Sequence, residues 1–287
     1  MENDDITRRD FVTMTGAGLA AAAGADLTAQ QVVEANVDIK TPDGTCDAAF
    51  IHPATGRHAA VVIWPDAFGL RPSMREMAKR LAAEGYSVLV PNPFYRVAKA
   101  PVFENAADFN FGDPAQRGKL TPLMGSINAE GAAERDAAAF IAWLDAQPQV
   151  DRTKKVGTQG YCMGGALVVR TAAAVSNRVG AGASFHGGGL VTANPGSPHL
   201  LAPKIKARMY FGIATNDDMQ QPDAKTKLKE SFDAAKVPAE IEVYSQAQHG
   251  WCVTDMPKQA NGQPIYSKPD ADRAWAKLLA LYKAGLS

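Results

Sequence analysis

The sequence predicts an α/β fold: a mostly parallel central sheet with helices on both faces and an antiparallel hairpin at its N-terminal edge. Two observations carry this. Short apolar runs alternate with segments of helical periodicity, and strands separated by helices pair in parallel within a sheet covered on both sides. Near the start of that alternation, "VVEANVDIKTPDG" and "CDAAFIHP" follow one another without an intervening helix, the pattern of an edge hairpin.

Taken in order, "HAAVVIWP" (58–65) is a short apolar run ending at proline and reads as a buried strand. In "SMREMAKRLAAEGYSVLVPNPF" the residues Met74, Met77, Ala78, Leu81 and Ala82 recur at helical spacing, and Gly85 stops the helix. "SVLVP" (87–91) is the next buried strand. "AEGAAERDAAAFIAWLDAQ" is a long alanine-rich helix, "KKVGTQG" a strand and "GGALVVRTAAAV" another helix. "VGAGASFHG", "ARMYFGIA" and "AEIEVYS" predict three further strands, and "PDAKTKLKESFDAAK" and "DADRAWAKLLALYKAG" two further helices. Residues 97–127 lack clean periodicity. They are expected to form a long active-site loop, because an irregular segment of that length in a compact domain is more often functional than idle.

The 287 residues are 46% hydrophobic and 21% charged, with zero formal net charge. This is an ordinary globular composition, and it gives a nucleic-acid partner no electrostatic support. The body, 26–287, is expected to be a single α/β domain, with no run of 18 or more apolar residues to form an integral membrane segment. Ahead of it, "TRRDFVTMTGAGLAAAAGA" sets Arg8 and Arg9 before a mildly apolar run and contains Ala23-Gly24-Ala25. This predicts a twin-arginine signal peptide over 1–25, cleaved near Asp26. It would engage the twin-arginine export machinery and give a periplasmic or secreted location. An alanine-rich leader helix retained in the cytoplasm is the alternative. The three cysteines, Cys46, Cys162 and Cys252, lack zinc or CxxC spacing and leave at least one thiol free in an oxidising compartment. A Cys46–Cys252 bridge is one pairing open to them.

"TQGYCMGGAL" (158–167) places Cys162 between Gly160 and Gly164, with an apolar strand before it and a helix after it. That is the context of a nucleophile elbow, G-x-nucleophile-x-G. Larger side chains two positions either side would collide with the flanking strand and helix. The same turn sets the Met163 N–H at a helix N-terminus, where it can hold an oxyanion. A packing thiol in a glycine-rich turn is the competing reading, and the strand–helix context weighs against it. An elbow needs an acid and then a histidine downstream. Asp217 and Asp218 in "ATNDDMQQP" follow one strand, and His249 in "QAQHGWCV" follows the next. Taken singly, these residues are as readily a helix cap or a surface histidine. Three groups in the required order, on loops at strand carboxyl ends where α/β sheets gather their sites, favour a Cys-His-Asp triad.

With those pieces in place, the chain resembles the dienelactone hydrolase family of the α/β-hydrolase superfamily. The matching segments are "PDAFGL" (65–70), "PNPFYR" (91–96), "GYCMGG" (160–165), "NDDMQQP" (216–222) and "HGW" (249–251), in order from about residue 55 onward. The resemblance implies an α/β-hydrolase fold, a small-molecule ester or lactone as substrate, and no metal or organic cofactor. By motif position it implies Cys162 as nucleophile, His249 as base and Asp218 as orienter, with Pro222 four residues beyond it; Asp217 is the alternative. It implies an oxyanion hole from the backbone N–H groups of Ala67 and Met163. Asp66 stands where the family carries a glutamate that holds the resting thiol neutral and helps generate the thiolate. Val253 stands where lactone-cleaving members keep an arginine for the substrate carboxylate, and the partner arginine corresponds to Arg117. Without the first clamp, less anionic esters or lactones are expected. Trp251 is expected as a pocket wall, and His186 either lines the pocket or is a hydrogen-bonded structural histidine. The expected activity is a carboxylic ester hydrolase working through a thioester. A broader esterase or peptidase-like hydrolase, and a non-catalytic periplasmic binding module on the same fold, are the alternatives.

Overall fold

The computed structural model describes residues 31–259 and 261–287; the expected signal peptide, 1–25, and its cleavage point near Asp26 lie outside them. The strands are β1 (Val32–Thr41), β2 (Gly44–Pro53), β3 (Ala60–Trp64), β4 (Ser87–Pro91), β5 (Val156–Tyr161), β6 (Val179–Phe185), β7 (Arg208–Ala214) and β8 (Ala239–Tyr244). Among the described residues they form one sheet in the order β1-β2-β4-β3-β5-β6-β7-β8. β1 and β2 make the expected antiparallel hairpin, with Val32 opposite Pro53 and Thr41 opposite Gly44. β2 is antiparallel to β4, and every later pairing is parallel.

The apolar strands are continuous because both faces of the sheet are covered. In β3, Val61 and Ile63 pack with residues of α1 (Pro72–Ala83) and of the C-terminal helix (Lys268–Gly285), whereas Val62 and Trp64 face the opposite core. Every position of such a strand is inside, so the alternation of a half-buried strand disappears. The opposite core contains Phe140, Leu167, Val168 and Phe232, from the helices at Ala132–Asp145, Met163–Ala174 and Ala224–Ala234. Past the end of α1, Gly85 takes φ +92°, the left-handed conformation that a glycine cap supplies without a side-chain clash.

Two expectations are corrected. The segment 97–127 is not a loop throughout: a 3-10 turn occupies Ala106–Asp108 and α2 occupies Pro114–Asn128. The Asp113 carboxylate accepts from the Ala115 N–H at 2.9 Å and Pro114 follows in the first turn, a sound helix start. Pro122 inside the helix and a buried set of only Leu120, Leu123 and Ile127 hide its period in the sequence. The stretch bearing Asp217 and Asp218 is also helical: after α3 (Ala132–Asp145) and α4 (Met163–Ala174), α5 spans Thr215–Gln220, with α6 (Ala224–Ala234) and α7 (Lys268–Gly285) beyond. Cys46 and Cys252 are free thiols in cores on opposite faces of the sheet, so the bridge open to them does not form. Among the described residues no helix is long and apolar enough to cross a membrane.

Candidate active site

Five loops leave the carboxyl ends of β3, β5, β6, β7 and β8, and four of them carry the sequence-predicted site residues that come together. Cys162 sits between β5 and α4 with φ 52° and ψ −117°, a left-handed conformation that a residue with a Cβ rarely adopts. Such a conformation costs about 1–3 kcal/mol and persists only where the surroundings enforce it. They do so by proximity. A Cβ on Gly160 would lie 2.2 Å from the Gly164 carbonyl oxygen, and one on Gly164 would lie 2.3 Å from the Trp64 carbonyl oxygen. The absence of a side chain at Gly160 and Gly164 lets α4 start directly beneath Cys162. Met163 is its first residue, and among the described residues the Met163 and Ala67 N–H groups donate to no protein acceptor.

His249, in the loop after β8, donates from Nδ1 to Asp217 at 2.8 Å and 3.0 Å from the two carboxylate oxygens. Its other nitrogen is not engaged by Asp217. Burial works against the imidazolium, but the hydrogen bond to Asp217 and the neighbouring Cys162 sulfur outweigh it and push His249 up to about 10. Asp218, the expected orienter, is not the residue on His249. It pairs with Lys225 Nζ at 2.6 and 2.7 Å. The reason is helical geometry. In α5 successive side chains diverge by about 100°, so only one of the two aspartates can face His249. Asn216, which the sequence reading did not single out, accepts from the His249 N–H at 2.8 Å and pins that loop to α5.

His186 resolves as the hydrogen-bonded alternative. Fully buried after β6 with φ 41°, its Nδ1 accepts from the Cys162 N–H at 3.1 Å. Its ring centroid is 4.8 Å from that of His249. Burial depresses its basicity well below the ordinary range, so it is neutral. Trp251 is not a pocket wall. It is fully buried, 5.1 Å from the His186 ring and stacked on Tyr244 at 4.7 Å. Arg117 is an exposed residue of α2 whose guanidinium bonds to the Phe111 carbonyl oxygen, and it does not join this group. Val253 is likewise fully buried in the core.

Asp66 is buried and bound by Arg71, at 2.7 Å through Nη1 and 2.9 Å through Nη2. The same guanidinium reaches Asp255 at 2.7 and 2.9 Å. Burial disfavours a charge on Asp255, yet Arg71 holds its carboxyl below the usual range. The loop bearing Ala67 is thus tied to the chain just after His249. Two clefts flank the reacting groups. One, of about 710 Å³, is lined by Cys162, Met163, Met124, Leu201, Glu134 and Arg170. The other, of about 440 Å³, is lined by His249 with Phe109, Phe111, Met256 and Ile265. Residues from 97–127 wall both.

Among known proteins, the Dienelactone hydrolase family matches residues 46–286. The chain belongs to the dienelactone hydrolase family. It is 28% identical over 215 residues to a carboxymethylenebutenolidase of Rhodococcus opacus, covering 74% of this chain and 78% of that one. It is 29% identical over 182 residues to a carboxymethylenebutenolidase of a Pseudomonas species, covering 63% and 70%. The fold matches the crystal structure of a dienelactone hydrolase-like promiscuous phosphotriesterase from metagenomic libraries with a TM-score of 0.71, at 24% identity, over 89% of this chain and 99% of that one. The chain is therefore a hydrolase of the dienelactone hydrolase family.

Replacing Arg71 with methionine leaves the buried Asp66 carboxylate and the partly buried Asp255 carboxylate without their shared partner. Urea unfolding is expected to show a loss of about 3–5 kcal/mol; an unchanged midpoint would contradict the bracing role of this ion triad.

Proposed function

We propose that this chain hydrolyses small carboxylic esters or lactones through Cys162, His249 and Asp217, by way of a thioester on Cys162. The observation that carries the reading is the 2.8 Å bond from His249 to Asp217, with Cys162 presented to the same imidazole from the strained elbow. The Cys162 sulfur, its proton held by Nε2 of His249, attacks the carbonyl carbon, and the carbonyl π electrons move onto oxygen. The N–H groups of Ala67 and Met163 stabilise that oxyanion, the latter helped by the N-terminal end of α4. Collapse expels the alcohol oxygen, which takes the proton from Nε2. A water molecule then gives a proton to Nε2, attacks the thioester and releases the acid and the thiol. The elevated basicity of His249 supports this scheme, because the imidazolium that holds the proton beside the sulfur, and later the proton from water, is the form that Asp217 favours. In this reading Asp66 plays no part in generating the thiolate, since Arg71 engages both its oxygens.

The cleft beside Cys162 supports uncharged acyl groups over carboxylate-bearing ones. A substrate carboxylate calls for an unpaired guanidinium. The arginine in the Cys162 cleft, Arg170, is already held by both oxygens of Glu134 at 2.7 Å. Val253 contributes no charge. The broader-specificity esterase is thus the form of the reading that the site favours.

Turnover of a panel of neutral esters and enol-lactones is expected to fall by about 10⁴-fold or more in Cys162→Ala; hydrolysis at the wild-type rate would remove Cys162 from the reaction. Steady-state kinetics of two further variants separate the aspartates. Asp217→Asn should lower kcat by about 10³–10⁴-fold through loss of the correct imidazole tautomer, whereas Asp218→Asn should stay close to wild type. The reverse ranking would restore Asp218 as the orienter.

A further inference from the structure

The two clefts approach the reacting groups from different sides, and the reaction scheme gives each a part of the substrate. This step rests on the ester-hydrolase reading above. His249 delivers its proton to the departing oxygen, so the alcohol portion must lie on the imidazole side, while the acyl carbon stays bonded to Cys162. The cleft of about 710 Å³ beside Cys162 and Met163 is then the acyl side. The cleft of about 440 Å³ beside His249 is the leaving-group side.

The wall of the leaving-group side is aromatic. Phe68 and Phe109 are buried, and with Phe103 they form the back of a four-ring cluster. Phe111 is its outermost member, 51% exposed and lining the cleft. It meets Phe109 edge to face at 4.7 Å and 67°, and Phe68 at 5.9 Å and 73°. A ring supported from behind by two others is already ordered, so a ligand seated on it pays little for fixing it. An aromatic ring placed in the cleft would extend the same edge-to-face pattern, worth about 0.5–1.5 kcal/mol beyond the area it buries. Met256 and Ile265 add apolar surface to the cleft, and Lys258 and Asn110 add polar groups.

We propose that the cleft between Phe111 and His249 is an aromatic leaving-group subsite, and that the preferred substrates are esters of aryl or arylmethyl alcohols. The step involved is the one already written: the acyl–oxygen bond breaks, the aromatic alcohol leaves with the His249 proton, and no co-reactant beyond water is consumed.

The test compares benzyl acetate with cyclohexylmethyl acetate on the purified chain, two esters matched in acyl group and closely matched in size. The wild type should prefer the benzyl ester by about twofold to tenfold in kcat/KM, the range that an edge-to-face contact supplies. Phe111→Ala and Phe111→Leu should bring that ratio towards one, and Phe111→Trp should keep it. The leucine variant retains apolar bulk, so its loss of preference would identify the ring itself. A wild-type ratio near one, or a ratio unchanged in both Phe111→Ala and Phe111→Leu, overturns the subsite while leaving ester hydrolysis intact. Turnover of neither ester, nor of any neutral ester in a wider panel, overturns the ester-hydrolase reading and the subsite with it.

Discussion

The site depends on one steric constraint, the contact between the start of α4 and the carboxyl ends of β3 and β5. Gly164 passes so close to the Trp64 and Pro65 carbonyl oxygens that a methyl group there would sit 2.3 and 2.7 Å from them. On the far side a Cβ added at Gly165 would lie 2.4 Å from Ser184 Oγ and 2.5 Å from the Gly187 Cα. Because the helix can approach this closely, the chain turns from strand to helix within a single residue. That residue, Cys162, is forced to positive φ. Strain, exposure of the sulfur and the orientation of the Met163 N–H are consequences of the same packing. The parallel sheet supplies the frame, since β3, β5, β6, β7 and β8 all end at one edge and bring residues distant in sequence within a few ångströms.

Polar contacts hold the remaining loops against that turn. Arg71 ties Asp66 to Asp255, joining the loop of the expected oxyanion donor Ala67 to the loop of His249. Asn216 ties His249 to α5, and His186 accepts from the Cys162 N–H beneath the elbow. None of these groups is exposed enough to be an independent surface feature. They act by removing freedom from the loops that carry the reacting atoms, which is where positional precision matters most for rate.

The fold was legible because its signals are local: apolar runs bounded by glycine or proline, helical spacing on α1, and a glycine pattern whose crowding can be inferred without coordinates. The elbow and the order of its partners were legible for the same reason. The resemblance picks Asp218 by its spacing to Pro222, whereas the structure puts Asp217 on His249, because the choice between adjacent carboxylates is made by the direction of a helical turn where the residue pattern suggests a loop. Trp251 and His186 looked alike as strand-end residues facing the site. Only the packing of β8 on the second core shows that Trp251 is sealed under the His186 ring. The long segment at 97–127 hid α2 because a helix with a narrow buried stripe and an internal proline lacks the period that identifies a helix. Arg71 went unnoticed because nothing in "GLRPSM" signals that its guanidinium is buried; its partner Asp255 lies 184 residues away.

The central claim is a covalent one, that the acyl group passes through the Cys162 sulfur. Rapid quenching of the enzyme with a slowly deacylated ester, followed by mass spectrometry of the intact chain and its peptides, tests it most directly. One acyl group per chain is expected, on the peptide carrying Cys162, forming no more slowly than product appears. Turnover without an adduct under conditions where acylation outpaces hydrolysis, or an adduct on Cys46 or Cys252 instead, would contradict it.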